Sequence, residues 1–89
     1  MTVCKRVQYR GRVQGVGFRY TAQQLAEGFP VAGHVRNLSN GDVELVAEGA
    51  AEAVEAFLAS VARRMGAYIT NTTVTEEAPG GLEGFRIRF

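Results

Sequence analysis

The strongest constraint on this chain is the order in which its hydrophobic spacing changes. From about Val3 to Val13, the residues Val3, Val7, Tyr9 and Val13 share one parity, while Arg6, Gln8, Arg10 and Arg12 take the other. A period of two with one apolar face predicts a half-buried strand. The spacing then lengthens, and Phe18, Ala22, Leu25, Ala26 and Phe29 recur as on one face of a helix of about ten residues. That helix should stop near Gly28–Pro30, because proline cannot continue it and disfavours helical geometry in the residue before it. Val35 and Leu38 precede Asn40-Gly41, and Val43, Leu45 and Val46 follow it. An Asn-Gly pair between apolar runs predicts a tight hairpin with both central residues at positive φ. Val54, Phe57, Leu58, Val61 and Met65 return to helical spacing, with Glu52 in the first turn and Arg63 and Arg64 in the last, as the helix dipole favours. Tyr68 to Val74 is rich in threonine and β-branched residues and predicts a strand. After the loop Ala78-Pro79-Gly80-Gly81, the alternation of Phe85-Arg86-Ile87-Arg88-Phe89 predicts a short, half-exposed last strand.

The order β-α-β-β-α-β with a short extra strand at the end has few solutions. Crossovers over one face of a sheet place both helices on that face. The expectation is an α+β fold, a two-layer ferredoxin-like sandwich with an antiparallel sheet and its second face open to water. On that open face should lie the Arg/Gln parity of the first strand and, on the strand after the hairpin, Glu44, Val46 and Glu48. The 89 residues, 46% hydrophobic and 21% charged, suit one domain over 1–89 rather than a disordered chain. A monomer is the expectation at this size.

Several function classes drop out early. No run of about 18 apolar residues exists, so no membrane helix is expected. The N-terminal MTVCKRVQYR carries charge where a signal peptide needs an apolar stretch, so residence in the cytoplasm is expected. The single cysteine, Cys4, excludes an internal disulfide and a cysteine-based zinc cluster. His34 is the single histidine, which leaves too few ligands for a dedicated metal site, and no cofactor is expected. Net charge is +1, yet residues 1–20 hold Lys5, Arg6, Arg10, Arg12 and Arg19 with no acid, and residues 41–60 hold five acids with no base. Such asymmetry can build a positive pocket for a small anion or simply charge two solvated faces.

The sharpest local feature is Gln14-Gly15-Val16-Gly17-Phe18-Arg19, between a strand and a helix start. Glycines allow successive backbone N–H groups to turn inward as an anion-binding nest, and a helix N-terminus adds unpaired N–H groups. Arg19 opposes the helix dipole in the first turn, at a cost of about 0.3–1 kcal/mol, and its guanidinium could clamp two oxygens of a phosphate or carboxylate. The residues alone leave a second reading open, a plain tight turn with an exposed arginine. Position 20 is Tyr20, so the dinucleotide-binding glycine fingerprint is absent, and no Gly-Lys-Ser/Thr follows to make a Walker A loop. The second feature is Gly33-His34-Val35-Arg36-Asn37. In this fold its strand runs parallel to the first strand, two places away, and brings Asn37 to the same end of the sheet as the glycine loop. An amide there can orient a water without taking a proton. Taken alone, Asn37 reads as a turn residue beside Ser39 and Asn40.

Together these stretches resemble a known family. Gly11-Arg12-Val13-Gln14-Gly15-Val16-Gly17-Phe18-Arg19 looks like the first signature of the acylphosphatases, and Gly33-His34-Val35-Arg36-Asn37 with Gly41-Asp42-Val43-Glu44 resembles the second. The resemblance extends through Phe57 to Phe85-x-Ile87. It implies hydrolysis of a carboxyl-phosphate anhydride, a small acyl phosphate, to carboxylate and inorganic phosphate without a metal, the phosphate acting as product and inhibitor. It implies that Gln14, Gly15, Val16, Gly17, Phe18 and Arg19 hold the phosphoryl group, and that Arg19 and Asn37 are catalytic, Asn37 by placing the attacking water. His34 stands where the family usually has tryptophan, Pro30 where glycine is usual, and Ala67 where proline is usual.

The same residues support other readings less well. His34 shares parity with Arg36 and Leu38 rather than Asn37, which argues against a catalytic base. Arg36 reads as a solvated strand residue, and Tyr9, Tyr20 and Tyr68 are expected to pack. Nucleic acid is not an expected partner, because the exposed parity of the first strand carries no aromatic on which a base could stack. The runner-up function is a non-catalytic anion- or acylphosphate-binding module on the same fold.

Overall fold

The computed structural model describes residues 1–89. β1 (Thr2–Gly11) leads through the glycine loop to α1 (Phe18–Ala26), then β2 (Val31–Asn37) and β3 (Val43–Ala50). α2 (Ala51–Met65) follows, then a 3-10 turn (Gly66–Tyr68), β4 (Ile69–Glu77) and β5 (Phe85–Arg88). The strands form one sheet in the order β4-β1-β3-β2-β5. β1 pairs antiparallel with β3 and β4, and β2 pairs antiparallel with β3. β5 joins the far edge parallel to β2, which makes the sheet mixed rather than wholly antiparallel. This is the expected two-layer α+β sandwich, and no helix is long and apolar enough to cross a membrane.

Both helices lie on one sheet face, as the crossovers require. Val7 and Tyr9 from β1, Val35 from β2 and Val43, Leu45 and Ala47 from β3 meet Phe18, Ala22 and Ala26 of α1 and Val54, Phe57, Val61 and Met65 of α2. Phe57 is fully buried, with ring centroids 5.9 Å from Phe29 and 5.4 Å from Phe85. Phe29 lies beyond the helix, since α1 ends at Ala26 and the chain turns before Pro30. At Gly33, which has φ +151°, any side chain would strike the Val46 carbonyl, so β2 sits close against β3 only because glycine is there.

Four expectations change in detail. β1 stops at Gly11 rather than Val13, because its register with β4 shifts between Arg10 and Gly11 and the Arg12 N–H donates to the Tyr68 carbonyl instead, at 2.9 Å. Val13 is nonetheless buried. β4 runs on past Val74 to Glu77, an edge strand that is exposed along most of its length. The β2–β3 hairpin is not the two-residue turn that Asn-Gly suggested. The Gly41 N–H donates to Leu38 at 3.2 Å, the Leu38 N–H donates to Asp42 at 2.8 Å, and Gly41 alone in the turn has positive φ. This is a three-residue loop with glycine in the left-handed position, and Asn40 serves it through its side chain, whose Oδ1 accepts the Asp42 N–H at 3.0 Å. Of the tyrosines expected to pack, Tyr9 is buried, but Tyr20 and Tyr68 are exposed.

The second sheet face departs most from expectation. Glu44, Val46 and Glu48 are buried there, and so is Asp42. Arg6 donates to Glu44 at 2.7 Å and to Glu77 at 2.6 Å, and Arg36 donates to Glu44 at 2.9 Å. Burial raises the Glu44 pKa, but the hydrogen bonds from Arg36 and Arg6 outweigh it and hold the carboxyl below its ordinary value. Gln8 donates to Asp42 at 2.6 Å, and the Arg10 guanidinium lies 3.7 Å from the same carboxylate. The opposed charges of residues 1–20 and 41–60 are therefore largely β1 and β3 answering one another across the sheet. Glu48 accepts from the backbone N–H groups of Gly80 at 2.7 Å and Leu82 at 3.0 Å, which draws the β4–β5 loop over the face.

Two outcomes follow from this packing. Phe57→Ala should cost about 3–5 kcal/mol in urea unfolding, the usual range for a buried phenylalanine. The Gly80 N–H bond first, and the Leu82 and Gly81 N–H groups after it, hold the Glu48 carboxyl below its ordinary pKa. Its contribution to stability is present above the unfolded-state pKa and is lost as pH falls through the lowered one. The Gly80 and Leu82 amide resonances should shift together over that acidic window, and Glu48→Gln should abolish the titration.

Candidate active site

The strand-to-helix junction is built by two left-handed glycines, Gly15 at φ 77° and Gly17 at φ 78°. No side chain caps α1 and no acid sits in its first turn. Its first backbone bond runs from the Thr21 N–H to the Gly17 carbonyl at 2.9 Å, so the N–H groups of Phe18, Arg19 and Tyr20 have no intrahelical acceptor. A loop whose donors are left free at a positive helix end is suited to an anion.

A cavity of about 210 Å³ opens at this junction, lined by Val13, Gly15, Gly17, Phe18, Arg19, Tyr20, Asn37, Ile87 and Phe89. Four of the six expected loop residues, Gly15, Gly17, Phe18 and Arg19, therefore reach it together with Asn37. Gln14 and Val16 do not line it. The Gln14 amide donates to the Leu38 carbonyl at 2.8 Å and the Asp42 carbonyl at 2.9 Å, tying the loop to the β2–β3 hairpin. Val16 packs half-buried against the core. Gln14 thus holds the loop beside Asn37 from behind. Phe18 is buried against Tyr9, with centroids 4.9 Å apart, and anchors the first turn of α1.

Arg19 is held in place by the last strand. Its Nη1 donates to the Arg88 carbonyl at 3.2 Å, and its guanidinium carbon lies 4.8 Å from the centre of the Phe89 ring. A guanidinium has further N–H donors, so these contacts fix its position and leave others for a ligand. Asn37 ends β2, half-buried. The side-chain bonds of the adjoining turn come from Gln14 and Asn40, which leaves the Asn37 amide free to face the cavity.

His34 lies on the other sheet face, 4.0 Å from Glu44, and its pKa is lowered by burial first and by Arg88 next. Arg36 shares that face and is ion-paired rather than simply solvated. Cys4 is buried beside Glu48, and burial and then the Glu48 and Glu77 charges push its thiol pKa up, the opposite of a reactive cysteine. Sequence reasoning missed Val13, Tyr20, Ile87 and Phe89 as lining residues. The alternation of Phe85, Ile87 and Phe89 held part of the signal, since it gave the three apolar residues one shared face. What it lacked was the parallel pairing of β5 with β2, which brings Phe89 over Arg19.

Comparison with known proteins agrees with this arrangement. The family model described as Acylphosphatase matches residues 5–87. The acylphosphatase of Thermotoga maritima is 40% identical over 85 residues, covering 94% of each chain. The crystal structure of acylphosphatase from Bacillus subtilis superposes with a TM-score of 0.89 at 36% identity, over 100% of both chains. The crystal structure of T. kodakarensis HypF, at 30% identity and a TM-score of 0.84, matches 99% of this chain with 12% of its own. With the match running from β1 to β5 and through every element that builds the cavity, this chain belongs to the acylphosphatase family.

Proposed function

We propose that the chain hydrolyses acyl phosphates to a carboxylate and inorganic phosphate, that the cavity between the glycine loop and Asn37 is where it does so, and that no metal takes part. The observation that carries the reading is the meeting of a free N–H nest, one guanidinium and one amide in a single cavity. The lining side chains include no imidazole, thiol or carboxylate, and no group of three or more histidine, cysteine, aspartate or glutamate residues that could hold a metal ion is found. That donor set favours oxyanion binding by N–H groups over metal chemistry.

The phosphoryl group sits in the nest, with the N–H groups from Gly15 to Arg19 on its oxygens. Arg19 supplies the full positive charge, most valuable as charge spreads over the equatorial oxygens in the transition state. Its bond to Arg88 and its stacking under Phe89 mean that little reorganisation is needed when substrate arrives. The Asn37 amide holds a water in line with the bond to be broken. The water oxygen bonds to phosphorus, the bridging P–O bond breaks, and its electron pair leaves with the acyl carboxylate. The water proton passes to a phosphate oxygen of the substrate, which supplies the acceptor that the lining lacks. A carboxylate is a good leaving group and the transition state is loose, so a strong general base is unnecessary.

The match to a small segment of HypF keeps a second reading in view, an anion-binding module on the same fold. Hydrolysis of benzoyl phosphate in excess chelator separates the two. Turnover inhibited competitively by inorganic phosphate supports the enzyme, and phosphate binding without turnover supports the module. Arg19→Ala should lower kcat/KM by about 10³-fold or more, the scale of removing a transition-state arginine. Asn37→Ala should lower kcat by about 10²–10³-fold while leaving the phosphate inhibition constant nearly unchanged. Equal loss of both quantities would remove its role in placing the water.

A further inference from the structure

The sheet face turned away from the helices answers most of its charges, but not at the corner formed by β2 and β5. Its ion pairs join Arg6 to Glu44 and Glu77, Arg36 to Glu44 and, more loosely, Arg10 to Asp42. Glu48 is engaged by the Gly80 and Leu82 N–H groups. Arg86 and Arg88 are exposed and have no acidic partner. They stand on this face because β5 runs parallel to β2, with Arg86 opposite His34 and Arg88 opposite Arg36. Neighbouring strands lie about 4.8 Å apart and alternate residues of one strand about 6.6 Å apart, so three guanidiniums and an imidazole form one compact block. Glu44 is the only acid ion-paired with any of them, and Arg6 already shares it. Like charges directly opposite in a sheet are destabilising, and Arg36 beside Arg88 is such a pair. His34 registers the crowding: after burial, the Arg88 charge does most to lower its pKa, Arg36 and Arg6 add to it, and Glu44 alone opposes it.

A repulsive cluster that a single acid would relieve points to an anion from outside the chain. We propose that His34, Arg36, Arg86 and Arg88 form a second anion site, on the opposite face of the sheet from the cavity, which takes a short chain of linked phosphates: inorganic triphosphate or the triphosphate tail of a nucleotide. The spacing of the cations carries this choice. Guanidinium forks match phosphate oxygens, and cations this close together call for anionic groups equally close, as phosphates that share bridging oxygens are. A lone orthophosphate brings too little charge to answer three arginines. Arg36 gives only its Nε–H to Glu44, which leaves its terminal N–H groups for a ligand. A longer polyanion with bases fits poorly, because the block is two residues long and no phenylalanine or tyrosine on β1 to β5 shares this face as a stacking platform. Arg88 belongs to both sides of the sheet, since its guanidinium stands in the block while its carbonyl accepts from Arg19. The site does not depend on the reaction assigned to the cavity.

Titration of the isotope-labelled protein with inorganic triphosphate, followed by NMR at moderate salt, tests the site. The His34 ring and the Arg86 and Arg88 Nε–H resonances should move together, and the ring titration of His34 should shift to higher pH as the phosphates offset the arginines around it. The Gly15 and Gly17 amides, read in the same spectra, report any triphosphate that enters the cavity and so keep the two sites apart. Arg86→Gln and Arg88→Gln should each weaken the affinity read at His34 by about tenfold, the scale of one lost hydrogen bond to a charged group. Arg86 does not line the cavity, so Arg86→Gln should leave orthophosphate binding at Gly15 and Gly17 unchanged, and it decides the matter even if Arg88→Gln disturbs Arg19. ATP binding as tightly as triphosphate supports the site with the phosphate chain alone as its ligand, and tighter binding of ATP supports it with a nucleotide. Shifts confined to the glycine loop, or an affinity at His34 that both variants leave intact, overturn the site. Citrate binding as tightly as triphosphate also overturns it, because the block is then an unselective positive surface.

Discussion

Three carboxylates on β3 and at its entry set conditions that the surrounding structure has to meet. Asp42, just ahead of β3, and Glu44 and Glu48 within it are all buried on one face at the centre of the sheet. A buried carboxylate is costly unless it is paired and hydrogen-bonded, so these recruit neighbours from β1, β2, the hairpin turn and the β4–β5 loop. Asp42 takes Gln8 and the Asn40 side chain, and its own carbonyl accepts from Gln14, which ties the β2–β3 hairpin to β1 and the glycine loop. Glu44 takes Arg6 and Arg36, linking the strands on either side. Glu48 takes the backbone of Gly80 and Leu82 and so guides the path towards β5. The face opposite the helices is thus organised by charge where the other is organised by apolar packing.

This division of labour bears on the cavity. Its floor comes from the apolar layer, through Val13 and Phe18, while the groups that aim at a ligand are held by polar ties. Gln14 fixes the glycine loop beside the hairpin that carries Asn37, and β5 fixes Arg19. The cation in the first turn of α1, unfavourable for an isolated helix, is held there by a carbonyl and an aromatic ring. Such local inconsistency with helix electrostatics is what favours the proposed anion site over an ordinary strand-to-helix turn.

Much of this was readable from spacing alone. Periods of two and 3.6 placed the strands and helices, and the loop Gln14 to Arg19 stood out because two glycines and an arginine opposed to the helix dipole coincide at a strand-to-helix junction. Parity also assigned His34 and Asn37 to opposite faces, as they are. What spacing could not carry was contact between distant segments. Glu44 and Glu48 alternate like solvent-facing residues, and only the partners brought by β1, β2 and the β4–β5 loop bury them. Tyr20 looked like packing material because an aromatic in a helix usually is, and nothing local says that its position faces an opening. Asn40 next to Gly41 resembled a two-residue turn, yet its side chain bonded to Asp42 and the loop took one residue more. Phe89 was legible as one end of an alternating strand but not as the partner of Arg19.

The strand order has a kinetic meaning as well. β2 and β3 meet through a short hairpin, but Val7 of β1 must find Leu45 on one side and Val74 on the other, and β5 must travel back to β2. Pairings between segments so far apart in sequence must overcome loop-closure entropy before they return any stabilisation, and chains rich in them fold slowly. The cavity draws its walls from the end of β1, the start of α1, the end of β2 and the stretch around β5. A partly folded chain with both helices and the hairpin in place therefore still lacks Ile87 and Phe89 and has no complete site. A ligand held in this cavity, as proposed, stabilises only the complete sheet, because no smaller part of the chain contains all of its walls.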